Sequence, residues 1–208
     1  MNRFFMFVWT ILGPIIRFVH PLDVQGREHL PKNKVLLCAN HSSNWDPVLI
    51  AISLPIDYHL WAMAKESLFH VPVLNWIIKK LGAFPVSRGG NDIQSVRTAL
   101  KVLKAGDNLL IFPEGKRVKQ QGEVPAKGGV AMIGIRTGAV FIPVFVDRKK
   151  PWFRKMRVIF GEPYRPEYTG RHGTSEEIQA IADEVLRRAY ALGQEESGEQ
   201  ENGRRLES

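Results

Sequence analysis

Residues 35–47 read Val-Leu-Leu-Cys-Ala-Asn-His-Ser-Ser-Asn-Trp-Asp-Pro. The first five are an unbroken apolar run, short enough for a strand buried on both faces. Asn40-His41-Ser42-Ser43-Asn44 then supplies turn chemistry, and Asp46-Pro47 has the form of a helix N-cap followed by a first helical residue. A strand passing through a polar turn into a helix is the repeating step of an α/β domain.

Outward from this unit the same alternation recurs. Ala83–Val86, Asn108–Phe112 and Val140–Val146 read as strands. Helices are expected over Pro72–Leu81, Asp92–Lys104 and Gly128–Thr137, with Ile93, Val96, Leu100 and Leu103 on one stripe of the second. Thr174-Ser175-Glu176-Glu177 opens a last helix, with Ile178, Ile181, Val185, Leu186 and Ala189 on its apolar side. The expected fold is α/β, a mostly parallel central sheet flanked by helices, over residues 21–193. After Gly193 the polar segment QEESGEQENGRRLES is expected to be a disordered tail, 194–208.

With 208 residues, the chain is long enough for one well-packed domain and short for two. Its net charge of +8 favours an anionic partner: nucleic acid, an anionic membrane or a phosphorylated substrate. The single Cys38 excludes an intrachain disulfide and a cysteine-based zinc site, and it sits inside the first strand as core. Residues 1–20 carry no acidic side chain and hold an apolar stretch between Arg3 and Arg17, interrupted by Gly13-Pro14. That stretch is short of the roughly 20 residues of a spanning helix. It reads as a helix or broken helix pair lying in a membrane interface, with Phe4, Phe5, Phe7, Trp9 and Phe18 as anchors and Arg3 and Arg17 toward headgroups. It also reads as an ordinary buried N-terminal helix.

Chemistry-bearing residues gather after the strands. His41 and Asp46 are five apart and share no helical face, so they meet only if the turn folds back. A carboxylate on one imidazole nitrogen would fix the tautomer and leave the other as a general base for a hydroxyl. Taken singly, Asp46 also reads as a plain helix cap and His41 as a satisfied loop histidine. Phe112-Pro113-Glu114-Gly115-Lys116-Arg117 follows a strand too, and belongs on the same carboxyl edge as His41 if both strands are parallel. Gly115 permits close approach, Lys116 and Arg117 suit a phosphate, and Glu114 suits a substrate hydroxyl or a basic group. A turn with solvated charges is the alternative. Arg88, just past Gly82–Ser87, offers a bidentate fork, and Lys127 before Gly128-Gly129 offers another anion contact; each also reads as a solvated surface cation. Arg148-Lys149-Lys150-Pro151-Trp152-Phe153-Arg154-Lys155 combines cations with aromatics, as for anionic headgroups or an acidic carrier protein, or else forms an exposed hairpin loop.

In identity, order and spacing these features resemble the PlsC-type glycerolipid acyltransferases. Asn40-His41 with Asp46 matches the motif NH-x4-D, and Gly82, Phe84 and Arg88 match the second motif. Phe112–Gly115 with Arg117 matches FPEG-x-R, and Ile142-Pro143-Val144 the fourth motif. Val24-Gln25-Gly26-Arg27-Glu28-His29-Leu30-Pro31 looks like the family's entry strand and turn, so the resemblance spans roughly residues 20–165. Lys116 and Val118 stand where threonine and serine are common, and Pro85 and Ser87 also depart from the usual choices.

The resemblance implies that His41 is the general base and Asp46 its orienting partner. It implies that Arg88, Glu114, Gly115 and Arg117 bind a phosphate-bearing acceptor, to which Lys127 is added as a candidate. It further implies acyl transfer from acyl-CoA or acyl-carrier protein to the sn-2 hydroxyl of 1-acyl-sn-glycerol-3-phosphate. Glycerol-3-phosphate or another lysophospholipid is the rival acceptor, and a non-catalytic basic binding module the rival class. No cofactor, metal or nucleic-acid partner is expected. The expected location is monotopic or peripheral on the cytoplasmic face of the cell membrane, in contact with its anionic surface.

Overall fold

The structure, a computed structural model, describes residues 3–87 and 92–206, with side chains from residue 9 to residue 194 of these. The elements in chain order are α1 (Arg3–Val19), β1 (Leu22–Gln25), β2 (Val35–Ala39), α2 (Asp46–Ser53), β3 (Leu60–Lys65), α3 (Pro72–Lys80) and β4 (Ala83–Val86). They continue with α4 (Ile93–Lys104), β5 (Asn108–Ile111), α5 (Gly129–Thr137), β6 (Val140–Val146), β7 (Met156–Phe160) and α6 (Ser175–Leu206).

All seven strands form one sheet in the order β1-β7-β6-β2-β5-β3-β4. β2 is central and parallel to both β5 and β6, and β5 carries the parallel order on through β3 to β4. β6 and β7 pair antiparallel, and β1 lies parallel to β7, so the last two strands at that end run the other way. The mostly parallel α/β architecture matches the reading of the sequence. β1, β3 and β7 add to the strands read from the apolar runs. β3 (Leu-Trp-Ala-Met-Ala-Lys) is built largely of Leu, Ala and Met, which favour helix, and β7 (Met-Arg-Val-Ile-Phe) has its apolar run broken by Arg157, which hides them in a single sequence.

β2 is buried at every position. Its pleat sends Leu36 and Cys38 into the core under α4, α5 and α6, while Val35, Leu37 and Ala39 pack with Leu49 and Ile50 of α2. Buried on two faces, this strand must be continuously apolar. Cys38 lies in that core, and burial pushes its thiol pKa up.

Local signals account for several boundaries. The Asp92 side chain accepts from Ser95 N–H at 2.9 Å and caps α4. Thr174 and Glu177 exchange bonds, Glu177 N–H to Thr174 Oγ1 at 3.2 Å and Thr174 N–H to Glu177 Oε2 at 2.7 Å, which is a capping box at the start of α6.

Three expectations change. Asp46 is the first residue of α2 rather than its cap, which is Trp45, and its side chain turns back over the preceding loop. The N-terminus is one helix, α1, with Pro14 inside it, the first of the two forms expected. Arg17, expected toward headgroups, instead donates to the Ile52 carbonyl and lies 5.0 Å from the Trp9 ring centroid. Contact with the end of α2 gives its guanidinium a fixed acceptor. The side chains of Phe4, Phe5 and Phe7 lie outside the described ones. Finally, α6 runs to Leu206, past Gly193, where a disordered tail is expected. Glu and Gln are good helix formers, and extending a packed helix is much easier than nucleating one. Among the described residues no helix is long and apolar enough to cross a membrane.

Gly134 in α5 faces the Phe141 ring of β6 so closely that an added Cβ would lie 2.0 Å from the ring. Alanine gains about 1 kcal/mol in helix propensity, whereas overpacking a rigid core costs about 1–3 kcal/mol. Gly134→Ala should therefore lower the urea midpoint with the slope unchanged.

Candidate active site

The site is built on the carboxyl end of β2. Asn40, buried, donates from Nδ2 to Val146 O at 2.9 Å and accepts Val146 N–H on Oδ1 at 2.8 Å. Its side chain thereby takes the place of one more ladder pair with β6 and fixes where the chain leaves the sheet. The next residue, His41, stacks on Phe112 at 4.0 Å between ring centroids, 22° from parallel.

His41 Nδ1 lies 3.0 Å from Asp46 Oδ2, so the turn folds back as required. The same oxygen accepts the N–H groups of Ser42 at 2.6 Å and Ser43 at 2.7 Å. The other, Oδ1, lies 2.9 Å from the ammonium of Lys150, an ion pair in which both side chains are almost fully buried. That ammonium also donates to Asp147 O, so its orientation is set by two acceptors. Burial by itself would raise the Asp46 carboxyl, but the bond from His41, the Lys150 charge and the Ser43 N–H outweigh it and hold the carboxyl below its ordinary value. Asp46 is thus an anion at neutral pH and can only accept, which puts a proton on Nδ1 and, in the neutral ring, the lone pair on Nε2. Among the described residues Nε2 meets no hydrogen-bond partner.

Lys150 is a site residue that the sequence does not single out: it stands in a basic cluster that reads either as a contact for headgroups or a carrier protein or as an exposed hairpin loop. The available signal was positional, because β6 is parallel to β2 and its exit falls beside the exit of β2.

Glu114 also departs from expectation. It is 2% exposed, its Oε2 accepts the His41 backbone N–H at 2.7 Å, and its Oε1 accepts the hydroxyl of Tyr190 on α6. Burial raises its carboxyl pKa more than the Tyr190 and His41 bonds lower it. With both oxygens engaged by the protein, Glu114 braces the backbone of His41 rather than meeting a phosphate. Tyr190 too was missed; a tyrosine on the buried stripe of a helix signals a hydroxyl that needs a partner.

β5 is parallel to β2, so the 112–118 loop does share the carboxyl edge with His41. Val118 N–H donates to His41 O at 2.9 Å, and Lys127 N–H to Pro113 O at 2.7 Å. Gly115 adopts φ +67°, and a Cβ there would lie 3.3 Å from the Lys127 side chain. Lys116 pairs with Glu123 at 3.1 Å. Arg117 and Lys127 are exposed, and among the described residues neither side chain has a hydrogen-bond or ion-pair partner. The loop therefore presents two free cations. Arg88 lies outside the described residues.

This arrangement can remove a proton from a hydroxyl at Nε2 and hold an anionic group beside it. The profile of the Acyltransferase family matches residues 21–147, which take in both loops. A 1-acyl-sn-glycerol-3-phosphate acyltransferase of Bacillus subtilis is 28% identical over 194 residues, 90% of this chain and 96% of that protein. One from Streptococcus pneumoniae is 33% identical over 110 residues, 52% of this chain and 40% of its own length. The crystal structure of the 1-acyl-sn-glycerophosphate acyltransferase PlsC from Thermotoga maritima superposes with a TM-score of 0.64 at 25% identity, over 91% of this chain and 78% of that one.

Asp46→Asn should leave the imidazole with a mixed or reversed tautomer and lower kcat by about 10²–10⁴-fold, read in steady-state turnover. Asp46, with its folded pKa depressed, contributes stability above its unfolded pKa of about 3.9, and that stability is lost as pH falls through the lower folded value. The acid limb of a stability–pH curve should accordingly flatten in the same variant.

Proposed function

Because this chain belongs to the Acyltransferase family, we propose that it transfers a fatty acyl group from an acyl thioester to the sn-2 hydroxyl of 1-acyl-sn-glycerol-3-phosphate, giving phosphatidic acid. The observation that carries this reading is the buried His41–Asp46 pair, its Nε2 without a partner among the described residues, on the sheet edge from which the loop carrying the exposed Arg117 and Lys127 also leaves. The names of the relatives at 28% and 33% identity support the acceptor.

In the proposed reaction His41 Nε2 takes the proton of the acceptor hydroxyl as its oxygen attacks the thioester carbonyl. Asp46 stabilises the resulting imidazolium through Nδ1–H. The tetrahedral intermediate collapses, the carbon–sulfur bond breaks, and the proton on Nε2 passes to the departing thiolate. The products are an ester and a thiol, with His41 restored. Cys38 takes no part, since it is buried in the core. The acceptor phosphate is met by Arg117 and Lys127 over the tight turn at Gly115, and by Arg88. Acyl-CoA or acyl-carrier protein is the donor, and the enzyme works on the cytoplasmic face of the cell membrane, held there in part by α1.

Thiol release from palmitoyl-CoA in mixed micelles tests the reading. It should require lysophosphatidic acid, fail with glycerol-3-phosphate, and drop by about 10³-fold or more in His41→Ala. Release that persists in His41→Ala would sink the assigned base, and silence with both CoA and carrier-protein donors would sink the reaction. Arg117→Ala and Lys127→Ala should each raise KM for lysophosphatidic acid by about tenfold or more with smaller effects on kcat, because each removes a charged hydrogen bond that the phosphate makes in ground and transition states alike.

A further inference from the structure

We propose that the carboxyl edge of the sheet is itself a bilayer-docking face, with the β6–β7 turn as an insertion point beside the end of α1. The inference rests on the reading of a lipid acceptor and names the surface that brings the site to it.

The topology gathers the relevant segments. β6 is parallel to β2, so the turn after Val146 opens at the edge that carries His41. β7 returns antiparallel and β1 runs with β7, so the end of α1 enters at that same edge. β3 runs parallel to β5 and β2, so residues 66–80 leave there as well. Each segment exposes large apolar side chains: Phe18 at the end of α1 is 74% exposed, Trp152 in the turn 72% and Val73 at the start of α3 71%, with Phe153, Val71 and Trp45 exposed too. Trp45 directly precedes Asp46. Apolar residues this exposed on a single edge mark an interaction surface rather than the scatter normal for a monomer.

The tip of the turn is held outward. Phe153 sits at φ +58°, a region costly for a bulky residue, and its N–H donates to Val19 O at 2.8 Å at the end of α1. Its ring meets Phe18 edge-on at 5.7 Å and lies 6.5 Å from Trp152. Strain kept at an exposed aromatic tip, where no core packing is gained, points to a surface that the tip meets.

Charge selects the occupant. Between Asp147 and Glu162 the chain has no acidic residue, and Lys149, Arg154 and Lys155 are exposed around the two aromatics. Aromatic rings beside cations suit the boundary between acyl chains and anionic headgroups. An acidic protein partner would account for the cations but not for the apolar side chains of the turn, α1 and α3 together.

Cosedimentation of the full chain with phosphatidylcholine vesicles, with and without phosphatidylglycerol, tests the face. Trp152→Ser/Phe153→Ser should weaken partitioning about tenfold or more on both vesicles. Arg154→Ala/Lys155→Ala should weaken it about fivefold per cation on anionic vesicles alone. Val71→Ser/Val73→Ser should weaken it independently of the turn, with circular dichroism reporting that each variant is folded. Wild-type affinity in all three variants, alongside loss of binding on serine replacement of Ile11, Leu12 and Ile15, overturns the docking face and leaves α1 as the anchor. Wild type that binds neither vesicle overturns the membrane reading as a whole. If Arg154→Ala/Lys155→Ala binds vesicles normally but no longer binds acyl-carrier protein, the turn belongs to that protein and the proposal fails.

Discussion

The arrangement depends on keeping one buried carboxylate ionised. Asp46 is wholly inaccessible, and an unpaired charge there would cost several kcal/mol or simply take up a proton. Two backbone N–H groups, the imidazole and the Lys150 ammonium together supply what water would have given. They come from two places far apart in the chain: His41, Ser42 and Ser43 from the turn between β2 and α2, and Lys150 from the turn after β6. The charge that orients His41 is therefore stable only when β2 and β6 are side by side and the turn between His41 and Asp46 is closed, which couples the site to the centre of the sheet.

The backbone of His41 is secured as carefully as its ring. Glu114 takes its N–H, Val118 donates to its carbonyl, and Asn40 immediately before it is clamped to Val146. These contacts reach β5, β6 and, through Tyr190, α6. A base supported from three elements on a parallel sheet is held far more precisely than one on a free loop. Arg117 and Lys127 contrast with it, exposed on the loop with no hydrogen-bond or ion-pair partner among the described residues. The arrangement is rigid at the buried His41–Asp46 pair and open at the exposed cations of its rim.

Much of this was legible in the sequence because the informative patterns are local. A continuous apolar run identifies β2, a turn of Asn, His and Ser identifies its exit, and the capping box of Thr174 and Glu177 marks the start of α6. The spacing of His41 and Asp46 stated the condition for their meeting, and the closed turn meets it. β3 and β7 escaped because the Leu, Ala and Met of β3 favour helix and Arg157 breaks the apolar run of β7. The placement of Asp46 as a cap failed for a related reason, since an Asp-Pro pair has the same local form whether its carboxylate caps the helix or turns back over the loop.

What the sequence by itself determined is the set of chemical groups, their order and the strand–turn–helix frame, all set by interactions among residues a few positions apart. What only the tertiary structure decided is which of those groups touch. Lys150 stands 104 positions from Asp46 and Tyr190 stands 76 from Glu114, and no local rule brings either pair together. The strand order does so, by setting the exits of β2, β5 and β6 side by side and laying α6 beneath them. It also moved Glu114 from ligand contact to brace, because a carboxylate's role depends on what buries it.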